Sequence, residues 1–167
     1  MTDPLADPGP LVRRVYAYVA YRIGAGAEAE DVTGETFERA VRYRSTYDRA
    51  KGSPQAWVLG IARACVADYF ANRPVVQPHR DEAAGDEGVE GAALERLAVR
   101  AAVAQLGERD RELIALRYGA DLKAREIADL LGERTNTIEV ALHRAVARLR
   151  DELDGEEPAG APRAQPS

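Results

Sequence analysis

The chain has 167 residues, enough for one domain or two small ones, with 46% hydrophobic and 31% charged residues and a net charge of −5. One cysteine, Cys65, excludes an internal disulfide and a cysteine metal cluster, and the two histidines, His79 and His143, lie far apart without ligand-like company. No apolar run is long enough to span a bilayer, and the N-terminus is acidic where a secretory signal would be basic, so a cytoplasmic protein with no cofactor, no structural metal and no membrane insertion is expected.

Residues 1–10 hold three prolines and a glycine and are expected to be disordered. Leu11 to Ile23 reads as a helix with Leu11, Val12, Val15, Tyr16 and Val19 on one side, ended by Gly24 and Gly26. A second helix is expected from about Glu28 to Tyr43, burying Val32, Thr36, Phe37, Ala40 and Val41. Its acids crowd the first turns and its arginines the last, the order the helix dipole favours. Gly34 sits in its middle, at a cost of roughly 1 kcal/mol against alanine. Ser53-Pro54 is a helix start, with Ser as N-cap and Pro at the first helical position. That helix should run to about Asn72, with Trp57, Ile61, Ala64, Cys65 and Asp68 following one another at three or four residues.

Residues 74–93 lose periodicity and gain acids, glycines and prolines, which predicts a flexible acidic linker. Helices are then expected over Leu94–Leu106 and Glu108–Tyr118. Ile127, Leu130 and Leu131 fall on one face of a short helix, and Gly132 follows where the chain must turn. Thr135 or Thr137 can cap the next helix, whose stripe is Ile138, Ala141, Leu142, Ala145 and Leu149. Short helix, glycine turn and longer helix is the layout of a helix-turn-helix, whose second helix enters the major groove of DNA; it is also the layout of an αα-hairpin in any helical domain. Residues 154–167 are acidic and then Pro/Ala-rich and should be disordered. No segment alternates like a strand. The fold class expected is all-α: a helical domain over 11–73, a linker over 74–93, and a helix-turn-helix domain over 94–153.

The acidity is unevenly placed. Residues 11–73 carry 10 Lys/Arg against 7 Asp/Glu, and residues 94–150 carry 11 against 9. Both folded parts are therefore mildly basic, and the negative charge lies in the connector and tails. There is no phosphate-cradling glycine motif, metal-ligand cluster or nucleophile–base arrangement, so a binding protein is favoured over an enzyme.

Two stretches carry a more specific message together. AEDVTGETFERAVRY (Ala29 to Tyr43) is followed by PQAWVLGIARACVADYFANR (Pro54 to Arg73), and then by LGERDRELIALRYGADLKAREIADLLGERTNTIEVALHRAVARLR (Leu106 to Arg150). In this order, with an acidic connector between, the chain resembles the extracytoplasmic-function group of bacterial sigma factors, over nearly all of residues 11–153. The resemblance implies that the first domain, region 2, binds the β′ clamp helices of RNA polymerase core and melts the minus-ten promoter element. It implies that the second, region 4, sits on the β flap and reads the minus-thirty-five element of promoter DNA. Asp31, Glu35 and Phe37 then fall in the clamp-facing motif, and Trp57, Arg63 and Asp68 in the motif lining the minus-ten strand. Tyr43 and Tyr47, with Arg44, Arg49 and Lys51, suit a strand-capturing loop, because bases stack on aromatics and phosphates seek cations; for Trp57 a core role is preferred over stacking. Arg134, Thr135, Asn136, Thr137, Glu139, His143 and Arg144 fall on or beside the recognition helix. Regulation by an anti-sigma factor that clamps the two domains, or by supply and degradation, is expected.

The chain departs from the family pattern at Gly34, at Gly60, Ala64 and Cys65, and at Glu139 and Ala141, where polar or basic residues are usual. Fewer cations mean weaker and less salt-dependent intrinsic DNA binding. The competing readings are a stand-alone helix-turn-helix regulator and a sigma-like docking protein that has lost DNA reading.

Overall fold

The computed structural model describes residues 3–73 and 90–155, and every regular element among them is helical. In chain order these are α1 (Pro8–Ile23), α2 (Ala27–Arg42), a 3-10 turn (Arg44–Thr46), α3 (Pro54–Ala71), α4 (Glu90–Ala104), α5 (Glu108–Ile114), a π-helical turn (Ala115–Gly119), α6 (Ala124–Leu131) and α7 (Thr135–Gly155).

Local chemistry accounts for most boundaries. The Ser53 hydroxyl accepts from the Ala56 N–H at 3.2 Å, and Pro54 fills the first helical position of α3, where a missing N–H costs nothing. Gly132 closes α6 in the left-handed region, at φ 67°. The Glu126 carboxylate accepts from the Lys123 N–H at 2.8 Å and ties down the first turn of α6. The start of α7 differs from expectation. The Arg134 carbonyl accepts from the Ile138 N–H at 3.1 Å, so Thr135 already lies within the first turn rather than capping it.

Other segments also differ from the sequence reading. The N-terminal arm is ordered from Asp3: the Asp3 carboxylate accepts from the Leu5 N–H at 3.0 Å, Leu5 packs on the core, and α1 begins at Pro8. Residues 90–93, assigned to the linker, form the first turn of α4, and α7 runs on to Gly155. The linker residues 74–89 and tail residues 156–167 lie outside the described residues. Glu108–Tyr118, expected as one helix, is α-helical only to Ile114 and then widens into the π turn. Val12 and Val41, expected inside, are 41% and 58% exposed.

The largest departure is in packing. One continuous core takes Leu11, Val15, Tyr18 and Val19 from α1, Val58, Leu59 and Ala62 from α3, and Leu113, Leu116, Leu122, Ile127 and Ile138 from the second half of the chain. Each buried Val, Leu or Ile side chain among them contributes roughly 1.5–3 kcal/mol of burial. Two domains joined by a flexible linker are expected from the sequence, and in this arrangement they share a core. A smaller cluster of Val103, Leu106, Ile114 and Ala145 joins α4, α5 and α7.

Polar groups pin the same seam. Glu112 of α5 accepts from the Tyr18 hydroxyl at 2.8 Å and from Arg63 Nε at 2.7 Å, and pairs with Arg22 Nε at 3.0 Å. The Arg22 side chain is only 5% exposed and also lies 5.6 Å from the Phe70 ring centroid. Burial and the Glu112 charge push the Tyr18 phenol well above its usual pKa, so it stays a neutral donor. Gln55 Nε2 donates to the Ala120 carbonyl at 2.6 Å, and Arg14 holds the Gln55 side chain from the other side.

Candidate functional site

Three surfaces gather the residues singled out by sequence. The first is the outer face of α2. Asp31 and Glu35 are both exposed and one turn apart. Arg39, on the next turn, reaches Glu35 at 2.5 Å and Asp68 of α3 at 2.8 Å. The hydrogen bond from Arg39 to Asp68 raises the guanidinium pKa further, so this cation is permanent. These residues rim a shallow cavity of about 500 Å³ that also takes in Tyr69 and Arg73. The Tyr69 hydroxyl bonds to Glu28, and burial together with that carboxylate pushes its pKa up to about 12. Phe37, placed with Asp31 and Glu35 by sequence, is half-buried and packs against the core instead. Asp68, assigned to the minus-ten strand, stands on this acidic face beside Glu35.

The second surface lies between the 3-10 turn and the start of α3. Tyr47 meets Trp57 edge to face, with ring centroids 5.6 Å apart, and its hydroxyl donates to the Gly52 carbonyl at 3.0 Å. Tyr43 is half exposed nearby. Tyr47, Lys51 and Trp57 line a cavity of about 410 Å³ whose far wall is Glu126, Asp129 and Leu130 of α6. Trp57 thus has one side against the core and one in the cavity, so packing and stacking are compatible roles for it. Arg63 is not on this surface: its guanidinium is committed to Glu112 at the seam.

The third surface is the outer side of α7. Arg134, Asn136, Thr137, Glu139, His143 and Arg144 are exposed and Thr135 is half-buried, while Ile138 and Leu142 face inward. Among the described residues no side-chain hydrogen bond or ion pair ties down Arg134, Asn136, Glu139, His143 or Arg144. The supporting turn is held from behind, where Arg109 makes a two-pronged pair with Glu133 at 2.7 and 2.9 Å. That pairing holds the Glu133 carboxyl below the usual range. Ala141 packs on the core, so its lack of charge reflects its place.

Comparison with known proteins accounts for this combination. Residues 10–73 match the family model described as Sigma-70 region 2, and residues 96–149 match Sigma-70, region 4. The chain is 32% identical to the ECF RNA polymerase sigma factor SigL of Mycobacterium tuberculosis over 143 residues, 81% of this chain and 80% of that protein. The chain belongs to the sigma-70 family, in its extracytoplasmic-function group. The ECF RNA polymerase sigma factor BldN of Streptomyces coelicolor is 34% identical over 143 residues, 81% of this chain, which spans only 54% of BldN. Among solved structures, the fold is similar to the sigma factor RpoE of Bartonella quintana in complex with the anti-sigma factor NepR. The TM-score is 0.72 at 18% identity, covering 88% of this chain and 94% of that one. It is also similar to CnrH in complex with the cytosolic domain of CnrY, with a TM-score of 0.63 at 23% identity over 92% and 86% of the two chains.

Two residues of these surfaces, and one of the seam behind them, escaped the sequence reading. Arg39 stands four residues after Glu35, a spacing that signals a helical ion pair. Val140 is 42% exposed on α7, and the signal was an apolar residue outside the buried stripe. Glu112 gave no signal, because its partners Tyr18 and Arg63 are 94 and 49 residues away in sequence.

Proposed function

We propose that this chain directs RNA polymerase core to a defined set of promoters, acting as a binding subunit with no chemistry of its own. The observation that carries the reading is the division of surfaces. One half presents an acidic, preformed α2 face and a separate aromatic–cationic cavity, and the other presents an untied recognition helix.

The roles follow from chemistry. Asp31, together with Glu35 and Asp68 that Arg39 braces, suits a basic partner surface such as the β′ clamp helices. Phe37 supports that face from within. Tyr43, Tyr47 and Trp57 offer ring faces to unpaired bases of the minus-ten element, and Lys51 offers a cation to the backbone. Arg63 serves this region by positioning, through Glu112. On α7, Asn136 has the amide geometry for a bidentate pair with adenine, Glu139 can accept from a cytosine amino group, and Val140 can lie against a thymine methyl. Arg134, Thr135, Thr137, His143 and Arg144 suit flanking phosphates and register. The half carrying α7 would rest on the β flap.

An anti-sigma partner is part of this reading, because a sigma factor of similar fold is known in complex with the anti-sigma factor NepR. No described helix is long and apolar enough to cross a membrane, and a cytoplasmic location fits the role. The stand-alone regulator is not favoured, because the relatives match both halves rather than the helix-turn-helix alone.

Footprinting with protein alone, core alone and both tests the proposal. Protection of two separated promoter elements only in the mixture is expected. Strong protection of one site by the protein alone would replace the reading with a stand-alone regulator. Core binding without any DNA protection would replace it with a docking protein.

A further inference from the structure

Residues 1–10 read as disordered from the sequence, yet the arm from Asp3 to Asp7 is folded onto the first half of the chain. Pro4 is buried and Leu5 packs on the core. The Asp3 carboxylate accepts from the Leu5 N–H at 3.0 Å and the Asp3 carbonyl from the Ala6 N–H at 3.3 Å, a local turn that suits aspartate. Ordering such a segment costs entropy, so it persists only where buried contacts offset the cost. Pro4 and Leu5 supply those contacts.

The arm meets the loop of residues 44–53 at both of its ends. At the entry, the Asp3 carboxylate stands 4.0 Å from Arg44 Nη1. At the exit, Pro4 and Ala6 line one cleft of about 360 Å³ with Ser53 and Pro54, where α3 starts. Between these ends the loop is tied to itself. Thr46 Oγ1 donates to the Tyr43 carbonyl at 2.7 Å, the Ala50 N–H to the Asp48 carboxylate at 2.9 Å, and the Tyr47 hydroxyl to the Gly52 carbonyl at 3.0 Å. These bonds fix the shape of the loop, not its angle to the helices. The angle is set by contacts that lead outward, to the Trp57 ring on α3 and to the arm.

We propose that the Asp3–Asp7 arm is a positioning element for strand capture: Pro4 and Leu5 anchor it, Asp3 holds Arg44, and together they set the angle at which Tyr47 and Lys51 meet the unpaired strand. The proposal rests on reading this loop and its cavity as the minus-ten strand site. A loop already at its binding angle loses less freedom when the strand arrives. The arm acts through the loop and needs no contact with DNA or polymerase.

The test compares holoenzyme assembled with full-length wild type and with Leu5→Asp, which places a charge where the arm is anchored. Promoter opening is read by permanganate reactivity of unpaired thymines, core binding by co-purification, and minus-thirty-five binding by footprinting. Opening should fall about tenfold, the scale of re-immobilising a pair of long side chains when the strand binds. Core binding, minus-thirty-five protection and the thermal midpoint should not change. Trp57 is the only tryptophan of the chain and touches Tyr47, so its near-ultraviolet circular dichroism should change in the free variant. Leu5→Met, which refills the same apolar site, should restore both signals. If Leu5→Asp does not fold, Leu5→Ala gives the same comparison. Asp3→Asn keeps an acceptor for the Leu5 N–H and removes the charge facing Arg44, so opening should fall by a smaller factor.

Wild-type opening by Leu5→Asp, with opening lost in Lys51→Glu, overturns the role of the arm and leaves the loop as the strand site. Wild-type opening by Lys51→Glu overturns the reading of the loop, and the proposal with it. A loss of opening matched by an equal loss of core binding and a lower thermal midpoint makes Leu5 a stabilising residue only and overturns positioning. Increased opening by Leu5→Asp makes the arm an obstacle and overturns it as well. Wild-type opening by Asp3→Asn overturns the hold on Arg44.

Discussion

The α2 face and the α7 face are built on opposite plans. On α2, Glu35, Arg39 and Asp68 are linked to one another before any partner arrives. On α7, Arg134, Asn136, Glu139, His143 and Arg144 have no side-chain ties among the described residues, and the helix is held from its other side, through Ile138, Leu142 and Ala145 and the Arg148–Asp110 pair. A pre-linked charge cluster presents one fixed pattern and loses little freedom on docking, which suits a partner that never changes. An untied row of side chains can settle on different base edges, which suits a partner that varies from promoter to promoter. On the first surface substitutions should therefore act together, and on the second one at a time.

The strongest test of the contrast is charge reversal on α2. Asp31→Arg with Glu35→Arg should abolish co-purification with core polymerase while circular dichroism stays helical, because like charges set against each other across an interface cost several kcal/mol. Retained co-purification would move core binding off this face. Reversing Asp68 alone tests the linkage: Asp68→Arg should disturb Arg39 and weaken core binding although it lies on α3, 29 residues away in sequence from Arg39.

The α7 plan predicts smaller and local effects. Asn136→Ala should weaken one promoter class by roughly 1–3 kcal/mol and leave non-specific binding unchanged. Val140→Ser should shift preference at one base step without altering the salt dependence. Both are read from binding of holoenzyme to a promoter library at two salt concentrations. A uniform loss across all promoters would mean that these side chains hold the backbone rather than read bases.

How far the sequence reached follows the same division between local and distant interactions. The Ser53-Pro54 start and the Gly132 turn were legible because each depends on neighbours in sequence. The exposed row on α7 was legible because helical periodicity separates Ile138 and Leu142 from Asn136 and Glu139. Periodicity reports one apolar stripe per helix and is silent about a second packed face. Tyr18 and Arg22 were missed as buried residues for that reason, since the bond from Tyr18 to Glu112 spans 94 residues. The π turn was hidden because Glu108–Tyr118 reads as uninterrupted helix. Arg63 and Asp68 were grouped with Trp57 by the family pattern, whereas α3 sends them to different faces.

Gly34 measures how much of the α2 face depends on its helix. It is exposed, and nothing lies within 4 Å of an added Cβ. Gly34→Ala should therefore raise stability by roughly 0.5–1 kcal/mol through helix propensity alone. The midpoint of thermal unfolding should rise with no loss of core co-purification. A fall in stability would show that α2 is not helical through this position in solution.

The smallest expected effect lies behind α7, at the pair that braces its turn. Glu133 has its pKa lowered in the fold by the hydrogen bond from Arg109. A carboxyl with a depressed folded pKa adds stability that is present above its unfolded value, near 4.5, and is lost as pH falls through the folded value. Replacing Arg109 with methionine should thus lower the thermal midpoint slightly at pH 6. The gap between wild type and Arg109→Met should then close as pH drops below the unfolded value. Because the pair is exposed to solvent, added salt should narrow the gap as well. The recognition surface offers an independent reading, since promoter binding by the variant should weaken at pH 6 only as far as the turn loosens. A gap that stays constant across the acid range would show that Arg109 braces α7 by packing rather than by its charge.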